Sequence, residues 1–456
     1  MSETATVVVG AGLAGSLMAI FLARRGYAVT LLEKRADMRR TSLPAGRSIN
    51  LALANRGLKA LRSVGLEERV RELLVTMRGR MIHDPEGRTD LQPYGQRPWE
   101  VIYSISRPGL NALLLDEAEA AGVDLRFRHQ CTQVNLEEGM LAFRDEAGER
   151  TVELPLKRCI AADGAGSILR ESLMRRPDFH CTIDWLAHGY KELCIPADSD
   201  GGYRIEPEAL HIWPRGGFML IALPNLDGSF TVTLFLPNEG DPGFDRLDTP
   251  ARVRDFFQAW FPDAAALIPD LEAAFFDNPT GPLGTVRSSP WHLDDKLCLV
   301  GDAAHAVVPF HGQGMNAAFE DCLEMDVCLE ETRGDWAEAF QRFFERRKPN
   351  AEAIADMAIE NYTEMRASVI DPKFLLKKKL AFELERRQPT RFVPRYAMVM
   401  FRDDIGYAEA RSRGRIQLRI MESAIEGKEQ LDEIDLDSVE REVLETLPAM
   451  RARTES

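Results

Sequence analysis

The chain opens with short apolar runs whose spacing changes from strand to helix and back. Ala5 to Val9 reads as a buried strand and Gly10 to Gly15 as a tight glycine turn. The apolar stretch to Arg25 reads as a helix, and Ala28 to Glu33 as a second strand. Helical spacing recurs over residues 55–75 and 108–121. Residues 78–94 place the turn Asp84-Pro85-Glu86-Gly87 between short apolar pieces, which predicts a hairpin set into a helical region. Residues 186–240 are strand-rich, and Phe218 to Leu223 and Phe230 to Leu236 flank a Pro-Asn-Leu-Asp-Gly turn, which predicts a second hairpin. A strand from Lys296 to Val300 runs into Gly301-Asp302, and residues 316–347 and 350–369 predict two long helices parted at Pro349. The order is α/β, then mostly β, then α/β again, then helical. An α/β domain interrupted by a β-sheet domain produces that order.

The length of 456 residues suits two or three such domains, and 45% apolar with 28% charged residues is a globular composition. The net charge of -15 argues against a general nucleic-acid binder. The seven cysteines are scattered with no Cys-x-x-Cys pair, which fits a reducing compartment better than a disulfide framework. The eight histidines lack a ligand spacing such as His-Glu-x-x-His, so no protein-bound metal is expected. The apolar stretch Thr6 to Ala23 is interrupted by three glycines and reads as strand plus helix, neither signal peptide nor membrane span. With a densely charged last hundred residues, the expectation is a cytoplasmic protein without a membrane anchor.

Gly10, Gly12 and Gly15 stand where a strand turns into a helix. The first permits the tight turn, the second lets backbone approach a pyrophosphate, and the third lets helix pack on strand. The helix start then offers free N–H groups to phosphates. Glu33 at the end of the second strand accepts hydrogen bonds from a ribose 2′-OH and repels a 2′-phosphate, so the pattern suits FAD or NAD, not NADP. Pro309 to Asn316 precedes a helix and contains Gly312 and Gly314, which allow close backbone approach to a flat ring. The helix start favours the negative charge that reduced flavin carries at its pyrimidine edge.

Two further signatures separate FAD from NAD. Cys298-Leu-Val300-Gly301-Asp302-Ala303-Ala304-His305 resembles the Gly-Asp motif of flavoprotein hydroxylases, and Ile160-Ala-Ala-Asp163-Gly164-Ala-Gly166-Ser167-Ile-Leu-Arg170 resembles their Asp-Gly motif. The resemblance to class A flavin-dependent aromatic hydroxylases extends along the chain. It is carried by Gly46 to Leu53, Met77 to Met81, Leu91 to Gly95, His188 to Leu193, Leu210 to Pro214, Ile221 to Asn225, Thr231 to Leu236, Pro309 to Asn316, Glu360 to Tyr362, Gln388 to Phe392 and Arg395-Tyr396. Within that group the chain resembles the branch that hydroxylates kynurenine. Its eukaryotic members carry an apolar membrane-anchoring tail, whereas this chain ends in a polar, charged helical stretch.

The resemblance implies a p-hydroxybenzoate-hydroxylase-like fold. A discontinuous Rossmann-type FAD domain would span 1–76, 98–180 and 286–370, a β-sheet substrate domain 77–97 and 181–285, and a helical C-terminal region 371–456. It implies non-covalent FAD, NADPH as co-substrate held transiently without a second glycine motif, and O2. The reaction it implies is hydroxylation of L-kynurenine to 3-hydroxykynurenine through a flavin hydroperoxide. The implied cofactor residues are Gly10, Gly12, Gly15, Glu33, Arg107, Asp163, Asp302, Gly312, Gly314, Met315 and Asn316.

Kynurenine needs one cation for its carboxylate, a few hydrogen bonds and an apolar slot. Read by itself, Arg80 is a hairpin arginine that either faces solvent or grips a carboxylate in two-pronged fashion; the resemblance assigns it the carboxylate. Tyr94, across the hairpin, and Tyr396 would add hydroxyls. Asn361 and Met365 share a helix face, and an Asn in an apolar stripe requires a partner, either a neighbouring helix or a ligand. Leu210, Met219, Phe235 and Phe310 read as ordinary core residues, and the resemblance makes them the lining of the ring slot. No acid or base is assigned, because a neutral aniline already donates electrons into its ring. The alternatives left open are a related hydroxylase acting on an anthranilate- or salicylate-like acid, and a flavin reductase or redox protein that does not hydroxylate.

Overall fold

Four strands that are buried along their whole length, Thr6–Val9, Val29–Glu33, Cys159–Ala161 and Leu297–Leu299, form the centre of a six-stranded sheet. The order is His292–Leu293, Leu297–Leu299, Cys159–Ala161, Thr6–Val9, Val29–Glu33, Asp124–Phe127, and all but the first pairing are parallel. Near-continuous apolar runs are what a parallel sheet covered on both faces demands. This computed structural model describes residues 6–40, 50–146, 148–367 and 371–450. Gly46 to Ile49 of the family-like segment, and 368–369 of the expected last long helix, lie outside the described residues.

The chain divides into two compact units. The first comprises Met1–Leu74, Ile105–Leu186 and Leu283–Ala355; the second comprises Val75–Ser104, Ala187–Pro282 and Asp356–Ser456. The first holds the parallel sheet, its helices Leu13–Arg24, Arg107–Ala120 and Gly314–Glu331, and an antiparallel sheet of His129–Asn135, Met140–Asp145 and Arg150–Pro155.

The second unit holds most of a seven-stranded sheet ordered Gly281–Ser289, His180–Ile195, Phe230–Pro237, Met219–Pro224, Ala209–Pro214, Gly79–His83, Thr89–Pro93; of the first two strands only 281–282 and 187–195 fall within it. Both hairpins expected from the turn residues are present. Side chains alternate between the two faces. One face carries Leu193, Trp213, Leu220, Val232 and Leu234 and packs on Phe256, Phe257 and Phe261 of the helical segment that follows. A fully buried Leu or Phe contributes about 1.5–3 kcal/mol, so this covered face supplies much of the unit's hydrophobic stabilisation. The opposite face is left to other uses.

Three elements differ from the sequence reading. The expected helix 55–75 is two helices, Asn55–Ser63 and Glu67–Arg71, broken at Gly65 with φ 63. The long C-terminal helix starts at Trp336, after Arg333 and Gly334 with positive φ, and runs through Pro349 to Ala367. An internal proline costs about 3 kcal/mol. Burial of Ala351, Ile354 and Ala358 outweighs it, and the Asn350 side chain donates to the Arg346 carbonyl at 2.9 Å in the loosened turn. The C-terminal helices have their own core of Leu380, Leu384, Phe392, Ile420 and Val443, yet belong to the second unit. Glu385 fastens them to the hairpin through Gln96 at 2.7 Å and Arg97 at 2.8 Å. Among the described residues no helix is long and apolar enough to cross a membrane.

Candidate active site

The glycine turn of the first unit is shaped by contacts that leave no room for side chains. A Cβ on Gly15 would fall 1.8 Å from the Gly10 carbonyl oxygen, and one on Gly10 would fall 2.5 Å from that of Ala162. Gly12 is different: a Cβ there would meet nothing within 4 Å, so this side of the turn leaves room for a group to approach the backbone. Glu33 is buried and accepts from Ala11 N at 3.0 Å, Arg35 N at 2.9 Å and Arg35 Nε at 2.8 Å. Burial opposes its charge, but the Arg35 bonds and the Ala11 N–H outweigh it and hold the carboxyl below its ordinary range.

Asp163 follows the Cys159–Ala161 strand. Its Oδ2 accepts from Ile168 N at 3.0 Å, while its Oδ1 is buried without a partner among the described residues, and burial raises its pKa. Asp302 opens the short helix Asp302–His305 and is exposed, as is Arg107 at the first turn of its helix. Gly312, with φ 66, ends the turn Pro309–His311; Gly314 and Met315 begin the next helix, half-buried. An open glycine face, a ribose-height carboxylate, an unpaired Asp163 oxygen and an exposed Asp302 fit a dinucleotide with a ribityl chain. Asn316 is fully buried and bound to backbone: Oδ1 accepts from Ala54 N at 2.9 Å, and Nδ2 donates to the carbonyls of Ala52 at 2.8 Å and Gly312 at 2.9 Å. Its side chain therefore shapes the Gly312 loop.

Sequence reasoning missed Asp321. It is fully buried and accepts from Gly301 N at 3.0 Å, His305 Nε2 at 2.6 Å and Arg347 Nε at 2.7 Å, which fixes the turn that presents Asp302. Burial works against its charge, and His305 and Arg347 outweigh it and hold the carboxyl below its ordinary range. No spacing in the chain links 301, 305, 321 and 347. Phe310 is also in this unit, buried in the Pro309–His311 turn.

In the second unit, strand register gathers residues far apart in sequence. Arg80 lies opposite Leu210 on one side and Gln92 on the other, and Met219 lies opposite Phe235. Pro214 pairs with Met219, so Arg80, Leu210, Met219 and Phe235 all belong to the face not covered by the phenylalanine-rich helices. Arg80 is 7% exposed; its Nη1 donates to Glu364 Oε1 at 3.0 Å, and its Nε has no acceptor among the described residues. Its guanidinium stands 4.9 Å from the Tyr396 ring, and Tyr396 stacks on Tyr94 with centroids 5.5 Å apart. Burial opposes the Arg80 charge, and Tyr396, Glu364 and Tyr94 outweigh it. Burial pushes the Tyr396 phenol up to about 12 and that of Tyr94 well above its usual value.

Asn361 and Met365 are buried on the same helix face as Glu364, with Asn361 Nδ2 3.3 Å from Met365 Sδ. Lys378 completes the cluster; burial first, then the Arg80 charge, push its ammonium down to about 8. Glu364 and Lys378 were not singled out from sequence, because each reads as one charge among many on a polar helix. The cluster is a buried cation with one donor unused, two tyrosines and an apolar floor, which suits a carboxylate attached to an apolar ring.

The FAD binding domain family matches residues 3–358. A protein of Myxococcus xanthus (strain DK1622) called kynurenine 3-monooxygenase is 50% identical over 435 residues, covering 95% of this chain and 93% of the relative. One of the same name from Stenotrophomonas maltophilia (strain K279a) is 49% identical, covering 97% of each. Among solved structures, the fold is similar to that of 2-methyl-3-hydroxypyridine-5-carboxylic acid oxygenase, with TM-score 0.62, 20% identity, and 82% of this chain and 96% of the other covered. It is likewise similar to that of P. aeruginosa PqsL in complex with 2-aminobenzoylacetate, with TM-score 0.63, 18% identity, and coverage of 80% and 96%.

Proposed function

The chain belongs to the kynurenine 3-monooxygenase family of FAD-binding hydroxylases, and from that premise we propose that it converts L-kynurenine to 3-hydroxykynurenine, consuming NADPH and O2. Bound FAD supplies reduction by NADPH and the activation of oxygen. The residues that would hold it are Gly10, Gly12, Gly15, Glu33, Arg107, Asp163, Asp302 and the 312–316 segment. The N–H groups at the start of Leu13–Arg24 would take the pyrophosphate, Glu33 a ribose hydroxyl, and Asp302 the ribityl hydroxyls.

Substrate recognition falls to the second unit. Arg80 takes the carboxylate, with Tyr94, Tyr396 and Asn361 as its hydrogen-bonding neighbours, and Leu210, Met219, Phe235 and Met365 hold the aniline ring dry. The observation that carries this reading is Arg80, buried beside two tyrosines with Nε unused, on the face that also bears the apolar residues. A buried cation is costly unless it is paired; Glu364 and Tyr396 both bond to the guanidinium, and its Nε is left for a ligand. No acid or base is assigned, since the neutral aniline activates its own ring. The seven free cysteines support a cytoplasmic setting.

The test is to incubate the flavin-loaded protein with NADPH, O2 and a panel of aromatic amino acids and related acids, and to weigh the products. Kynurenine alone is expected to gain one oxygen per NADPH consumed. NADPH consumption that yields only peroxide would identify a non-hydroxylating reductase, and oxygenation of anthranilate in preference to kynurenine would move the protein to a different substrate.

A further inference from the structure

Behind the substrate face, on the covered side of the same sheet, lies a chain of polar groups that the reaction does not use. His83 and His211 are 6% and 1% exposed. His83 Nδ1 is 3.1 Å from Asp263 Oδ2, His83 Nε2 is 2.8 Å from His211 Nδ1, and His211 Nε2 is 2.7 Å from the Glu206 carbonyl oxygen. Trp213 Nε1 donates to the same Asp263 oxygen at 2.7 Å, and its ring stacks on His83 with centroids 4.0 Å apart.

Proton counting fixes the charge of this chain. A carbonyl only accepts, so His211 Nε2 must carry a hydrogen. Asp263 already accepts from Trp213; burial opposes its charge, but the His83 and Trp213 bonds outweigh it and bring its carboxyl to about 2, so it too only accepts. His83 Nδ1 must therefore carry a hydrogen. The contact between the two rings needs one more. That makes three hydrogens, whereas two neutral imidazoles carry two. Any neutral arrangement sets two lone pairs, or a lone pair and an anion, face to face; both rings are buried, while the Asp263 side chain is 40% exposed.

We infer that His83 and His211 share one positive charge held against Asp263, and that this ionic node is a positioning device for Arg80 and Leu210 on the other face of the same two strands. The pairing Arg80↔Leu210, Met81↔His211 runs through both sets. A one-residue slip of either strand would exchange the faces, and the node binds that register to the segment Pro262–Ala265. Burial pushes His211 down to about 4, against the Glu206 carbonyl and Asp263, which favour its proton. The other charges near the pair are Arg215, whose Nη1 donates to the His83 carbonyl at 3.1 Å, and the hairpin residues Asp84 and Glu86, which act on Arg215.

The charge itself is tested on wild-type holoprotein labelled with 15N-histidine, where ring nitrogen shifts and N–H couplings count the ring protons. At pH 7.5 one strongly hydrogen-bonded pair with three N–H protons is expected; two neutral rings with two would overturn the inference. The positioning half rests on the substrate site proposed above. In Asp263→Asn the surplus proton should be lost and kynurenine should bind roughly tenfold more weakly, the equivalent of ~1.4 kcal/mol, with flavin content unchanged. Wild-type affinity in that variant would refute positioning. Absence of kynurenine binding to wild type would refute the substrate reading instead and leave the proton count standing.

Discussion

The two candidate sites, one in each unit, are built from different materials. The flavin cradle proposed in the first unit is backbone: glycine turns, helix starts and carboxylates already held by N–H groups, as Glu33 is by Ala11 and Arg35. The substrate face proposed in the second unit is side chain, gathered by strand register from the positions of Arg80, Leu210, Met219 and Phe235 and from helices near 361 and 396. A cradle of backbone tolerates little change in shape, because an added atom meets main chain. A pocket of side chains tolerates reshaping, and its errors show as lost affinity while the fold survives.

The strongest way to expose that contrast is a pair of alanines in the glycine turn. Gly15→Ala would set a Cβ on the Gly10 carbonyl oxygen, so the turn should fail and purified protein should be colourless or insoluble. Gly12→Ala meets open space, and its backbone, φ -72 and ψ -176, suits any residue. It should fold with wild-type circular dichroism and bind FAD more weakly. If the two variants behave alike, the turn is not the backbone cradle described.

Asp321→Asn should come next. Removing one charge from a buried, hydrogen-bonded pair costs about 3–5 kcal/mol, read as a lowered denaturation midpoint and faster flavin loss. The folded pKa of Asp321 is depressed, so its contribution is complete above the unfolded value of about 3.9 and is lost as pH falls below it. Acid unfolding of the variant should accordingly be less steep. An unchanged midpoint would remove Asp321 from the scaffold of the Gly301–Asp302 turn.

The smallest effect belongs to Lys378. Its ammonium, held down to about 8 by burial and by Arg80, is charged at pH 7 and mostly neutral at pH 9. Kynurenine affinity should weaken over that interval by roughly two- to fivefold more in wild type than in Lys378→Met, the equivalent of ~0.5–1 kcal/mol. Identical pH profiles would place Lys378 outside the pocket's field.

Legibility in the sequence followed the same division. The Gly10 turn, Glu33, the 160–170 and 298–305 motifs and both hairpins are local patterns, so a reader of the chain finds them directly. The long helix misleads, because Pro349 is a local breaker that tertiary packing overrides. Glu364, Lys378 and Asp321 had no local signal: each matters only through partners brought near by folding, Arg80 for the first two and Gly301, His305 and Arg347 for the third. His83 and His211 are individually unremarkable strand residues, and only the register of two strands makes them a pair.

Arg80→Met bears most directly on the substrate face, because methionine keeps much of the stem's packing and removes the charge. Truncating one partner of a buried charged pair costs about 2–5 kcal/mol, or roughly 30- to 5,000-fold in affinity. Titrating wild type and variant with kynurenine and with its decarboxylated analogue should show that loss for kynurenine alone. The analogue should bind both proteins about equally poorly, and flavin content should not change. Wild-type affinity for kynurenine in Arg80→Met, or an equal loss for both ligands, would contradict a carboxylate held by Arg80.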